Sequence, residues 1–530
     1  MMQTEFKEYI VGLKENVDYN TFWYEIENEN EILETEYVPS RPVEIINERP
    51  LSTRCCHYAL TDLEAIALRQ DSRVQCVEIP ADQRTDIKIK SFASQSGIYY
   101  KFPNTGRNPN NALGVNWGLF RLNSNTNNTI GASGNLLYNY PLDGTGVDIV
   151  IQDGGLQCDH PEFENSKGET RVQKINWYSA SGLPGTQPAD NLFYIDTDGH
   201  GTHVAGIAAG KTYGRAKNSN IYSITVDGLN GANSQGMPIS DVFDVIKGWH
   251  NNKPIDPATG FKRPTVVNMS WGYTATFQNI TGGNYQGNAW TGTTKQAAYG
   301  MIGSDTNTHG VRISSVDIDI SEMIAAGIVI CGAAGNNYQT IDTPTGINFN
   351  NYYNSSVYGQ VYYMQGGSPT AASGVITVGN IWIGDPSIGF AEQKAASSES
   401  GPRVDIYAPG TFIISTMSTT NAFSCNTQYP NNNSFLIGTL SGTSMASPQV
   451  AGMCAQLLQA YPSYTPAQIK DRIVNDSASN VLFDTGLTDD YSVLYTLHGS
   501  RNSYAFQPFN AATNFNVTPG VVMNNITINT

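Results

Sequence analysis

The chain has 530 residues, of which 40% are hydrophobic and only 14% charged, and its formal net charge is −16. Such a composition is typical of a globular protein of about one to four domains. The acidic balance excludes nucleic acid and anionic membrane surfaces as partners, because both require a basic face. No apolar run reaches the roughly 20 residues that a membrane-spanning helix needs, so no membrane span is predicted.

The N-terminal residues and the cysteines indicate in which cellular compartment the protein could act. Residues 1–7 lack the basic segment and apolar core of a signal peptide. We therefore expect intracellular action or export by a non-standard route. The 7 cysteines match no zinc-site spacing and leave at least one thiol unpaired in a monomer, so they do not require an oxidising compartment.

Residues 1–80 predict a small α+β unit. Residues 8–14 alternate as a strand, residues 61–64 form a capping box that opens a helix, and residues 74–79 form a second strand. A unit of this size has a marginal core alone, so we expect it to pack on a larger domain. Residues 81–140, rich in Asn, Gly, Ser and Thr, predict a linker and the start of the following domain.

From Gly146 onward, buried strands alternate with helices. Residues 147–151 predict a strand that ends at Asp153, and residues 265–270 and 327–331 predict two more. This alternation favours a mostly parallel sheet with helices on both faces. Functional side chains are then expected at the carboxyl ends of the strands.

Residues 141–480 are predicted to form this one domain, with two interruptions. Residues 273–315 and 337–372 are rich in Gly, Asn, Tyr and Thr and are interpreted as surface insertions. Residues 481–530 are weakly patterned and are interpreted as a C-terminal extension.

Residues 441–448 read Ser-Gly-Thr-Ser-Met-Ala-Ser-Pro and precede a buried, small-residue helix. A hydroxyl at the first turn, such as that of Ser444, lies beside free N–H groups and the positive end of the helix dipole, which stabilise developing negative charge. Pro448 is tolerated there because its missing N–H costs little in a first turn. Taken alone, the motif would be an ordinary N-cap.

Two upstream motifs change that interpretation. Asp153 follows a buried strand directly, although an Asp-Gly turn would be the ordinary interpretation. His200 and His203 stand at a predicted helix start, but no Cys or carboxylate completes a zinc site, so no metal is assigned. Asp153, His200 and Ser444 give a carboxylate, an imidazole and a hydroxyl in the chain order Asp–His–Ser.

On these motifs the chain resembles the subtilisin-like serine proteases. Residues 160–163 and 211–217 are similar to the proteinase K branch of that family. The resemblance implies an α/β, subtilisin-like three-layer fold with a mostly parallel sheet. It also implies a serine endopeptidase that cleaves polypeptide substrates through an acyl-enzyme. Ser444 would be the nucleophile, His200 the general base, and Asp153 the group that orients His200.

The resemblance extends to the binding site. Residues 333–336 are similar to the family's oxyanion motif, so Asn336 is expected to donate its side-chain amide to the oxyanion, beside the backbone N–H of Ser444. Ser270, Trp271 and Gly272 are expected to pair with an extended substrate backbone. Gly231 is expected on the opposing edge strand.

The 1–80 unit resembles the family's ferredoxin-like inhibitory prodomain. The chain would then be made as a zymogen, with its own prodomain as inhibitor and self-cleavage between Pro80 and Asn116. No cofactor is expected to be required. Residues 208–221 lack the family's Asn-rich calcium loop, and a calcium site elsewhere is left open without assigned residues.

One departure from the family leaves alternatives open. Residue 154 is Gly, where the family usually has a Ser or Thr that supports the aspartate. The first alternative is a catalytically impaired subtilisin-fold protein with a binding or structural role. The second is a maturation protease of narrow purpose that uses its insertions as docking surfaces.

Overall fold

The structure is a computed structural model that describes residues 5–28, 36–91, 116–124, 140–295, 297–301, 307–382, 392–484 and 495–506. The helices are α1 (Tyr19–Glu27), α2 (Asp62–Leu68), α3 (Trp117–Arg121), α4 (Trp177–Ser181), α5 (Asp190–Phe193), α6 (His200–Ala209), α7 (Ile239–Asn252), α8 (Ser314–Ala325), α9 (Thr443–Ala460) and α10 (Pro466–Asn475). The strands are β1 (Lys7–Leu13), β2 (Ile45–Asn47), β3 (Cys55–Leu60), β4 (Val74–Glu78), β5 (Lys88–Ser91), β6 (Asp148–Asp153), β7 (Val172–Gln173), β8 (Asn220–Thr225), β9 (Thr265–Met269), β10 (Trp271–Thr276), β11 (Ile280–Tyr285), β12 (Asn288–Thr291), β13 (Thr308–Gly310), β14 (Val329–Ala333), β15 (Tyr352–Ser355), β16 (Gly359–Tyr362), β17 (Ile376–Trp382), β18 (Gln393–Lys394), β19 (Ile406–Pro409), β20 (Ile413–Met417), β21 (Thr427–Tyr429), β22 (Asn432–Leu440), β23 (Ala478–Ser479) and β24 (Ser503–Tyr504).

The main sheet runs in the order β23–β24–β19–β17–β14–β9–β6–β8–β7. The pairs from β24 through to β7 are parallel, whereas β23 and β18 join antiparallel. Helix α9 lies against β9, β14, β17 and β19 and packs on α6. These features confirm the predicted α/β class, and they follow from apolar strands too continuous to leave either face in water.

The N-terminal unit is an antiparallel sheet in the order β2–β3–β1–β4 with α1 and α2. The predicted capping box is present, since Thr61 and Glu64 exchange hydrogen bonds at the start of α2. Strand β3 and helix α1 were not predicted from the sequence. The sheet contacts α8, so the unit does pack on the larger domain as expected.

The two predicted insertions build one module together. Strands β11 and β12 come from the first, β15 and β16 from the second, and they pair in the order β12–β11–β15–β16. The interpretation as surface segments was therefore incomplete. The Tyr-rich composition supplies a small core of its own, whose buried members are Phe277, Ile280, Trp290, Met301, Tyr353, Tyr363 and Met364.

The C-terminal segment adds to the main sheet. Tyr504 of β24 pairs in parallel with Tyr407 of β19 and is fully buried. The predicted extension thus contributes a strand, while its residues 485–494 and 507–530 lie outside the described part of the chain. Residues 92–115 and 125–139 of the predicted linker also lie outside it. Among the described helices, none is both long and apolar enough to cross a membrane.

Candidate active site

Ser444 lies in the first turn of α9, where every residue is buried. Gly442, directly before the helix, has a φ of 149°, a conformation that favours glycine. The Ser444 hydroxyl donates to the carbonyl oxygen of Ser270 at 3.0 Å, and the Ser270 hydroxyl donates to the carbonyl oxygen of Ser444 at 3.0 Å. The helix start and the segment between β9 and β10 are thereby held together.

His200 and Asp153 meet where α6 begins and β6 ends. The Nδ1 atom of His200 lies 2.8 Å from Oδ1 of Asp153, and both side chains are buried. Burial alone would lower the pKa of His200, but the charge and hydrogen bond of Asp153 outweigh it and raise that pKa above its ordinary value. In the described part of the chain, the buried Nε2 of His200 has no hydrogen-bond partner.

The turn before α6 holds His200 in place. Asp196 accepts hydrogen bonds from the backbone N–H groups of Gly199 and Thr202 and from the Thr202 hydroxyl. Asp198 accepts from the N–H of His200 at 2.6 Å. Burial, and after it the charge of Asp198, raises the pKa of Asp196 to about 7. Neither carboxylate was predicted from the sequence, although an Asp-rich turn just before a helix is a recognisable capping signal.

The structure explains why residue 154 is glycine. Its N–H donates to Oδ1 of Asp153 at 2.8 Å. A Cβ atom on Gly154 would lie 2.4 Å from the carbonyl oxygen of Leu229. The loop after β8 therefore occupies the space that a side chain would need, and Oδ2 of Asp153 is buried without a hydrogen-bond partner among the described residues.

Asn336 is tied to the start of α9. Its Oδ1 accepts hydrogen bonds from the backbone N–H of Thr443 at 3.0 Å and from the Thr443 hydroxyl at 3.1 Å. The same hydroxyl accepts from the N–H of Gly335 at 3.2 Å. The side-chain amide of Asn336 is thus oriented by the residue that precedes Ser444.

Trp271 and Gly272 open strand β10, and β10 already has an antiparallel partner. Ser91 pairs with Trp271 and Lys90 with Gly272, so β5 of the chain itself lies along this edge. Ile89 of β5 reaches the opposite wall, because a Cβ on Gly228 would lie 2.8 Å from its Cγ2. The predicted edge strand at Gly231 is absent, since the described residues 230–236 form a loop that packs on Thr197.

The comparisons with known proteins identify the family of this chain. The family model described as "Subtilase family" matches residues 144–494, about two thirds of the chain. This chain belongs to the subtilase family. It is therefore a serine-type peptidase, a hydrolase, as the resemblance predicted.

Several other proteins are similar to this chain over much of its length. The "Extracellular serine proteinase" of Thermus sp. (strain Rt41A) is 27% identical over 435 residues, covering 82% of this chain and 73% of that protein. Cerevisin of Saccharomyces cerevisiae (strain ATCC 204508 / S288c) is 26% identical over 402 residues, covering 74% of this chain and 48% of that protein. The solved structure of fervidolysin from Fervidobacterium pennivorans is 19% identical and covers 93% of this chain and 61% of its own, with a TM-score of 0.47.

Subtilases often bind calcium, and one acidic cluster bears on that question. Asp244, Asp319 and Glu322 place carboxylate oxygens within 4.8 Å of one another. The guanidinium of Arg49 lies 2.6 Å from Asp244 and 2.8 Å from Asp319, and Lys247 lies 2.6 Å from Glu322. Each of these three carboxylates thus already has an ion pair with one of two cations of the chain, and we assign no metal to them.

Proposed function

We propose that this subtilase is a serine endopeptidase, made as a zymogen that cleaves itself. The observation that carries the proposal is the 2.8 Å contact between His200 Nδ1 and Asp153 Oδ1, together with the packing of α6, which begins at His200, on α9, which bears Ser444 in its first turn. Asp153 would hold the tautomer in which His200 Nε2 accepts a proton. Ser444 is a weak nucleophile without such a base.

The nucleophile must turn before it reacts. Its hydroxyl donates to Ser270 O at 3.0 Å, and leaving one neutral hydrogen bond costs about 1 kcal/mol. Catalytic hydrogen bonds are often loose in unliganded enzymes and tighten when substrate binds. The free energy needed to rotate the Ser444 hydroxyl toward His200 Nε2 is therefore a small part of the activation barrier of the reaction.

The chemistry then follows in two halves. As the Ser444 oxygen bonds to the substrate carbonyl carbon, its proton passes to His200 Nε2, and the carbonyl oxygen becomes an oxyanion. The Asn336 amide and the Ser444 N–H would stabilise that oxyanion, and one such donor contributes about 3–4 kcal/mol. The C–N bond breaks as His200 returns the proton to the leaving amine. Water repeats the sequence and releases the acid from Ser444.

The N-terminal unit would act as a prodomain. Its Glu78 carboxylate accepts from the N–H groups of Ser314 and Ser315 at the start of α8, at 3.1 Å each. Its Arg49 guanidinium binds Asp244 and Asp319. Strand β5 follows directly and pairs with β10 as an extended substrate would. This arrangement supports cleavage at a bond shortly after Ser91.

The test is to compare the wild-type chain with Ser444→Ala by intact mass. The wild type should lose roughly 10 kDa, estimated from about 0.11 kDa per residue over some ninety residues, and Ser444→Ala should keep its full 57.6 kDa. Ser447→Ala is the matched control: Ser447 is buried on the same helix and donates to Asn268 Oδ1 at 2.8 Å, so its loss should not prevent cleavage. An uncleaved wild type that also fails to label with a fluorophosphonate would refute the proposal and favour the impaired binding protein.

The insertion module favours a protease of narrow purpose as a second candidate. It follows β10 directly, and the Tyr353 hydroxyl donates to the carbonyl oxygen of Thr276, the last residue of β10, at 3.4 Å. Substrate residues far upstream of the scissile bond would then meet this module. If the module binds substrate, peptides lengthened on the N-terminal side of the scissile bond should be cleaved with lower KM. A KM that does not depend on peptide length would contradict this second candidate function.

A further inference from the structure

A buried carboxyl group underlies the loop that carries Asn336. The backbone N–H of Glu399 donates to the carbonyl oxygen of Gly335 at 2.9 Å. The side-chain amide of Asn337 donates to Oε1 of Glu399 at 2.9 Å. Glu399 is thus bonded to the residues on both sides of Asn336.

The packing around this contact leaves little freedom. Gly335 has a φ of +117°, and a Cβ there would lie 2.7 Å from the carboxyl carbon of Glu399, so the carboxyl group fills the space beside it. On the other side, Asn337 Oδ1 accepts from the Thr308 hydroxyl at 2.7 Å. Thr308 belongs to β13, which pairs with β10. The 335–337 loop is therefore held between Glu399 and the substrate-binding strands.

The surroundings of Glu399 disfavour a charge. The side chain is 1% exposed, and within the described residues its Oε2 has no hydrogen-bond partner. The charge of Lys394 acts on Glu399, but the Lys394 amine donates to the carbonyl oxygens of Ala395, Ala396 and Ser398 and makes no ion pair in the described chain. Burying a carboxylate without an ion-pair partner is costly, so the protonated form is favoured.

The neighbouring ionisable groups do not reverse this preference. Burial raises the pKa of Glu399 to about 8, with Asn337 and then Lys394 acting in the opposite direction. Burial lowers the pKa of Lys394 to about 7, so its amine carries little charge at alkaline pH. In the C-terminal segment, Asp484 raises the pKa of Lys394. Burial, and after it the charge of Lys394, lowers the pKa of His498 to about 4, and the ring of His498 lies 2.8 Å from the Ser400 hydroxyl.

We propose that Glu399 is a positioning residue for the oxyanion-binding loop, and that its uncharged carboxyl group keeps Asn336 aimed while its ionisation loosens the loop. The inference rests on the proposed peptidase function of the same site. A carboxylate formed at this place would have to recruit water or move toward Lys394. Either movement displaces Gly335 and Asn337, and with them the side-chain amide of Asn336.

The test is the pH profile of kcat and KM between pH 6 and 10 on a peptide substrate. In the wild type, kcat should fall with a midpoint at about pH 8 and be roughly tenfold lower one pH unit above it, at unchanged KM. Glu399→Gln keeps an acceptor for Asn337 but cannot ionise, so its kcat should stay level over that range. Glu392→Gln, a buried carboxylate paired with Arg121 at 2.7 Å, is the control and should keep the wild-type fall.

A second variant keeps the test decisive if Glu399→Gln does not fold. Asn337→Ala removes a bond that favours the ionised form, so it should lower kcat at neutral pH and move the alkaline midpoint upward. An unchanged alkaline midpoint in the folded variants, with fluorophosphonate still labelling Ser444, would overturn the role of Glu399 alone. Absence of labelling in the wild type at every pH would overturn the proposed function as well.

Discussion

Replacing Gly154 by Ser, the residue type more usual in the family, should harm this protein. The new Cβ would lie 2.4 Å from Leu229 O and 3.1 Å from its carbonyl carbon, so backbone must move by about 1 Å to reach ordinary van der Waals contact. Overpacking of this kind costs about 1–3 kcal/mol. Against it stands one new hydrogen bond to the unpartnered Asp153 Oδ2, worth about 1.5–3 kcal/mol only if the hydroxyl reaches it unstrained.

The two contributions can be measured separately. Gly154→Ala introduces the Cβ without the hydroxyl, so it should show the full cost, and the difference between Ala and Ser gives the hydroxyl's contribution. Unfolding free energies are measured by urea denaturation in the Ser444→Ala background, which prevents self-digestion. We expect both variants to be less stable than the protein with Gly154. In the chain that keeps Ser444, kcat/KM should fall, because the backbone displaced by the new side chain includes position 154, whose N–H donates to Asp153 Oδ1. A Gly154→Ser protein at least as stable and active as wild type would refute the argument.

Three further outcomes are expected. The acid limb of the kcat/KM profile should have its midpoint above pH 6.5, since the raised pKa of His200 keeps this base protonated to higher pH. Asp153→Asn should move that midpoint to lower pH and lower kcat by a factor of about 10⁴. An unmoved acid limb in Asp153→Asn would contradict the role of Asp153 as the partner of His200. Ile89→Asp should slow self-cleavage, followed by gel over time, because β5 would lose its apolar contact with the wall near Gly228, whereas an exposed change such as Lys88→Gln should not. Arg49→Ala should lower the unfolding free energy of the unprocessed Ser444→Ala chain by about 3–5 kcal/mol, because the buried Asp319 loses its ion-pair partner while Asp244 keeps Lys247; a change below about 1 kcal/mol would contradict that.

The core of the fold was predictable because its strands and helices follow from patterns of residues that are close together in the sequence. The alternation of apolar strands with helices predicted the mostly parallel sheet. The motifs around Asp153, His200 and Ser444 showed the chain order Asp–His–Ser, from which the resemblance to the family was identified. The capping box at Thr61 was likewise a signal contained in four residues. Each of these features depends on neighbours in sequence, where side-chain spacing is informative.

What the sequence could not supply depends on contacts between distant segments. The pairing of β5 with β10 joins residues about 180 positions apart, and no spacing rule indicates it. The module built from two insertions pairs β11 with β15 in the same way. The cause of Gly154 was also hidden, because it lies in the backbone of Leu229 and not in any side chain.

The attachment of β5 to β10 has a consequence for the order of the self-cleavage reaction. The strand and the edge that receives it belong to one molecule, so the local concentration of this first substrate is set by chain connectivity and not by how much protein is in solution. First-order kinetics, with a half-time unchanged on dilution, are therefore expected for the first cut. By the same reasoning, an intact Ser444→Ala chain shields its own β5 and should be a poor substrate for an active neighbour.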